Sequence, residues 1–61
     1  MMKDDERRLE RAAQKLAKIL IAQRGLELSR SFAAAERSWK KRDSLGWLLW
    51  RRVESILKEQ P

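Results

Sequence analysis

The 61-residue chain has no cysteine, no histidine and no tyrosine. Without cysteine there are no disulfides and no thiolate metal sites. Without histidine the commonest metal ligand and the usual neutral-pH proton shuttle are missing too. A chain this short buries only about 60% of its unfolded surface, so with neither staple its stability has to come from helix packing or a partner. The one proline is the last residue, Pro61, and there are only two glycines, so few turns are encoded and strands are not expected. The longest apolar run, Ile19-Leu20-Ile21-Ala22, falls far below the roughly 20 residues of a spanning helix. The charged start, Met1 to Arg8, is followed by no signal-peptide core. These absences predict a chain with no membrane span, no signal peptide and a cytoplasmic location.

What is present is charge and helical periodicity. Fifteen Lys and Arg against nine Asp and Glu give a formal charge of +6, which favours acidic partners. The apolar spacing predicts an all-α fold, a small three-helix bundle with helices over about 4–23, 26–42 and 44–59 in a single domain, 1–61. In the first helix Leu9, Ala12, Ala13, Leu16, Ile19, Leu20 and Gln23 recur at three- and four-residue steps. Asp4, Asp5 and Glu6 fall at its positive end. Gly25 suits a left-handed helix end. The second helix is expected to turn Leu28, Phe32, Ala35 and Trp39 inward. That stripe lies about 120° from the first one if the helix runs on straight, so a break at Gly25 and a hairpin are predicted. In the third, Asp43 is the expected N-cap, and Leu45, Leu49, Trp50, Val53, Ile56 and Leu57 form the expected core stripe.

Residues 45–50, Leu45-Gly46-Trp47-Leu48-Leu49-Trp50, hold two of the three tryptophans between Lys40-Lys41-Arg42 and Arg51-Arg52. One helix face cannot bury all of them. The pattern Asp43-x-x-Gly46-x-x-x-Trp50-x-x-Val53, preceded by Gly25 and an Ala-rich helix, resembles that of a group of small uncharacterised bacterial helical proteins, mostly alphaproteobacterial. The resemblance spans roughly residues 12–60. It departs at Arg42, where the group usually has Gly, and at Arg24, where His often precedes the Gly. It implies a helical fold and no activity.

Three sets of residues are candidates for function. Arg7, Arg8, Arg11, Lys15 and Lys18 fall within about 100° of one another on a helical projection, a one-sided stripe of the kind that contacts phosphates. The competing reading is a solvated face, softened by an Asp4–Arg8 pair. Lys40, Lys41 and Arg42, with Arg37, offset the negative end of the second helix or face a partner. Trp39 and Trp50 are expected in the core. Trp47 points away from Leu49, toward Arg51, Glu54 and Lys58. It is read as capped by Arg51, as a partner anchor beside Leu48, or as a base-stacking platform.

A helix-turn-helix would present Asp43, Ser44, Leu45, Gly46 and Trp47 to base edges. One acid and three apolar or bare residues make a poor reader of bases. The serines at 29, 31, 38, 44 and 55 have no histidine to activate them, and a chain this size offers little room for a small-molecule substrate. No enzyme, cofactor or metal site is expected. The sequence therefore predicts a small helical protein-interaction module of adaptor, inhibitor or phage- or plasmid-type regulator kind. Trp47, Leu48, Arg51, Lys40, Lys41 and Arg42 would meet an acidic or apolar protein surface or a second copy. The alternative is a nucleic-acid binder using Arg7, Arg8, Arg11, Lys15 and Lys18.

Overall fold

The computed structural model describes residues 3–61. The fold is all-α, with two helical elements: α1, Asp4–Trp39, and α2, Leu45–Glu59. The expected three-helix count is corrected here. Residues 4–39 form one element, in which Gly25 is the only residue with non-helical dihedrals, φ 80° and ψ 166°. The chain re-enters the helix at the next residue, so no loop divides it. Only glycine adopts this region of φ/ψ space readily. The bend it makes is sharp. A straight helix of 36 residues would be about 54 Å long, whereas the longest dimension of the molecule is 31 Å. The element thus has two arms, 4–24 and 26–39, and α2 is tied to both.

Two contacts close the bend. The Ser29 hydroxyl, fully buried, donates to the Gly25 carbonyl at 2.6 Å. The Arg24 guanidinium sits over the Phe32 ring, 4.1 Å from its centre, and Phe32 meets Trp50 of α2 edge to face at 5.6 Å. Arg24, Phe32 and Trp50 thereby join the first arm, the second arm and α2 in one stack.

The core is thin and asymmetric. The arms contribute Ala13, Ala17, Leu20 and Ala33, while α2 contributes the larger Val53, Ile56 and Leu57. Small residues on the arms let helix axes approach closely, since the axial separation follows the side chains at the contact. Leu16, Ile21, Leu26, Phe32, Leu49 and Trp50 complete the core at its edge.

The second arm is turned about one residue from its expected phase. Ser29 and Ala33 face inward, while Leu28 is 63% and Trp39 is 83% exposed. Ala35 is exposed too, and only Phe32 of the expected stripe packs inward. The rotation follows from Gly25, whose dihedrals reset the helical phase, and from the close approach, which admits Ser and Ala where the larger Leu and Trp do not fit. In the first arm Ala12 and Ile19 also lie outside, and Ala17 replaces them. In α2 the stripe holds from Leu49 to Leu57, but Leu45, its first residue, is 74% exposed.

The second arm stops at Trp39, not Arg42, because a turn follows. The Ser44 N–H donates to the Lys41 carbonyl at 3.0 Å, and Asp43, the third residue of that turn, has φ 65°. A turn of this kind needs positive φ there, and Asp tolerates it better than most residues. Asp43 is therefore not the N-cap. Ser44 is, its hydroxyl oxygen accepting from the Trp47 N–H at 3.2 Å.

Candidate functional site: a groove at the start of both helices

The register of α2 against the arms is set by three polar contacts. Arg52 makes a two-pronged pair with Glu10, Nε to Oε2 at 2.6 Å and Nη2 to Oε1 at 2.8 Å. Gln14 donates to the same carboxylate at 3.0 Å. These donors, Arg52 first, hold the Glu10 carboxyl down at about 2, and Glu10 in turn raises the Arg52 guanidinium. On the other arm Arg37 pairs with Glu54. At the far end, Arg30 Nε donates to the Leu57 carbonyl and Nη2 to the Gln60 carbonyl, both at 3.0 Å. The last carbonyls of a helix lack intrahelical partners, and a cation there also meets the negative end of the dipole. Arg30 thus caps α2 from another element.

With this register the first turns of α1 and α2 lie side by side. Between them runs an open groove of about 610 Å³. Leu9, Leu45 and Leu48 supply its apolar lining. Asp5 and Glu6 form one wall, Arg51 and Arg52 the other, with Glu10 and Ser55 also lining it. Arg52 is already neutralised by Glu10, so Arg51 is the cation left to that wall. Leu45 and Leu48, 74% and 39% exposed, are the least covered leucines of α2.

The expected protein-binding set is divided by the fold. Leu48 and Arg51 line the groove, but Trp47 does not. Trp47 is half-buried, and the Arg51 guanidinium lies 5.3 Å from its ring centre, a cation–π contact. Lys40 reaches Glu36 at 3.9 Å, and its stem lies over Gly46, where an added Cβ would meet Lys40 Cδ at 3.5 Å. Lys41 and Arg42 are exposed in the turn, away from the groove. Of the groove residues, only Leu48 and Arg51 belong to the expected set; Asp5, Glu6, Leu9, Glu10, Leu45, Arg52 and Ser55 do not. Hydropathy turns Leu45 inward, and Asp5 and Glu6 stand in the sequence only as helix-end charges.

The other expected set is brought together as a face. Arg7, Arg8, Arg11, Lys15 and Lys18 are all exposed. Among the described residues none of them forms an ion pair, and the Asp4–Arg8 pair does not form. Ala13, Ala17 and Leu20 lie roughly opposite them on the helical projection. The stripe therefore points directly outward rather than running beside the core.

Among the described residues no helix is long and apolar enough to cross a membrane. No family model, curated protein or solved structure matches the chain.

Proposed function

We propose that the chain is a non-enzymatic helical interaction module that acts by covering a surface through this groove, and that the surface it covers is a second copy of itself. The observation that carries the reading is the groove's make-up: an apolar lining between two walls of opposite charge. Such a patch is self-complementary. In a two-fold dimer each residue i that meets j is matched by j meeting i, so the Asp5–Glu6 wall of one copy faces Arg51 of the other, with Leu45 and Leu48 covered between them. Fully covering a leucine contributes about 1.5–3 kcal/mol. A specific interface takes about 600 Å² from each copy, a modest share of the 4866 Å² surface.

Light scattering or sedimentation across micromolar to millimolar concentration tests this. The expected result is a rise from 7.3 kDa toward twice that mass, abolished by Leu45→Glu with helicity unchanged. A chain that stays monomeric throughout, or a Leu45→Glu variant that still dimerises, overturns the second copy as the occupant of the groove.

A further inference from the structure

The folded molecule ties some of its cations into contacts and leaves others, Lys41, Arg42 and Lys58 among them, exposed with no ion pair among the described residues. Arg24 lies on Phe32, Arg30 on the end of α2, Arg37 on Glu54 and Arg52 on Glu10. Each of these holds the structure together. Arg7, Arg8, Arg11, Lys15 and Lys18 hold nothing: all five are exposed and make no ion pair among the described residues. They occupy one sector, about 100° wide, of a rigid helix and span about 16 Å along it. Asp4 shares the sector at its very start. Of the first arm's apolar residues, Ala13, Ala17 and Leu20 are at most 4% exposed and packed in the core, and Ile19 is the one large apolar side chain of the arm that lies outside, 42% exposed.

We infer that this outer face of the first arm is a binding site for the phosphate backbone of double-stranded nucleic acid, without base readout. Duplex DNA presents one charge per roughly 1.7 Å of its length, so a straight row of cations can engage several phosphates at once. The row carries charge and no aromatic or large apolar side chain, which suits backbone contact and not base recognition. A membrane surface is the less fitting partner. An interfacial helix has to sink an apolar face among the lipids, and the apolar face of this arm is occupied by the core. The inference stands apart from the groove, which lies where the first turns of the two helices meet.

Five phosphate contacts give a dependence of log affinity on log salt of about −4.5, or roughly a 500-fold loss between 50 and 200 mM salt. The test is anisotropy of a labelled mixed-sequence duplex at several salt concentrations, with two triple variants. One is Arg11→Glu, Lys15→Glu, Lys18→Glu. The other is Lys41→Glu, Arg42→Glu, Lys58→Glu. Each reversal removes two charges, so both variants go from +6 to neutral. All six side chains are exposed, so circular dichroism is expected to show both folded. The first variant should lose binding and the second should keep most of it. Equal losses would mean that net charge alone drives binding, and the face would not be a site. All three tryptophans lie outside the first arm, so their emission should change little on binding. Strong quenching would move the contact to Trp39 or Trp47 and overturn the placement. Tighter binding to vesicles of anionic and neutral phospholipid than to the duplex would overturn the ligand class.

Discussion

The two arms of α1 belong to one helical element, six cations on the first and two on the second, yet they use them in different ways. On the second arm, Arg30 satisfies the last carbonyls of α2 and Arg37 pairs with Glu54. On the first, the five outer cations touch no acid, and it is Glu10 that reaches α2. The difference lies in which face each arm turns toward α2. The second arm presents a mixed face, with Arg30 and Arg37 near the inward Ser29 and Ala33. The first presents mainly Ala, Leu and one acid, and its cations stand opposite. Identical residue types in α1 therefore act as struts from Arg24 onward and as a free charged surface on the outer face of the first arm.

The largest effect is expected at the joint between the arms. Gly25→Ala should destabilise the fold by about 1–3 kcal/mol, and each 1 kcal/mol lowers the melting temperature by roughly 4–8 °C in a domain of this size. An added Cβ meets nothing within 4 Å, so the penalty is purely that of the dihedrals. An unchanged melting temperature in thermal circular dichroism would show that the bend does not depend on glycine. Arg30→Ala comes next. It removes two charge-assisted bonds to carbonyls at the end of α2, of which Leu57 also accepts from the Gln60 N–H, and a loss of about 1–2 kcal/mol is expected after allowing for partial exposure. Urea titration reads it, with Arg30→Lys recovering only part, because a lysine lacks the planar fork that spans both carbonyls.

The Glu10–Arg52 pair sharpens the comparison through pH. The Glu10 carboxyl titrates at about 2 in the folded chain against an ordinary 4.5. Its depressed value means the unfolded chain takes up the proton first as pH falls. The stability it supplies is thus present above about pH 4.5 and is lost on descending toward 2. Both side chains are about a third exposed, so solvent screening keeps the contribution to roughly 0.2–1 kcal/mol. Glu10→Gln should flatten the melting-temperature profile between pH 5 and 2 by that amount; an identical acid slope in the variant would count against the pair. Arg11→Ala, on the free face, should change stability by less than about 0.5 kcal/mol. It should also reduce the salt slope of duplex binding by about 1. A stability loss matching that of Arg30→Ala would erase the distinction between the arms.

Much of this was legible before the fold was known. The bend at Gly25, the inward run from Leu49 to Leu57 and the basic row on the first arm all follow from residue type and helical spacing. Trp39, Leu28 and Leu45 did not, because hydropathy favours burying large apolar side chains wherever they occur. Close packing against the bent element instead selected Ser29 and Ala33. The groove was half visible, in Leu48 and Arg51. Its acidic wall lies some forty residues away in sequence, where no local pattern links it to α2.

The sequence by itself determined the all-α character, the residue at which α1 bends, and the grouping of Arg7, Arg8, Arg11, Lys15 and Lys18 on one face. All three are local: they depend on a fixed rise and rotation per residue within one helix, and on one glycine. Only the tertiary structure decided the phase of the second arm, the capping of α2 by Arg30 and the meeting of Asp5 and Glu6 with Leu45 and Arg51. Those depend on the rotation that the Gly25 dihedrals impose across the bend and on which side chains are small enough to let α2 approach, and neither is encoded in the periodicity of any single helix.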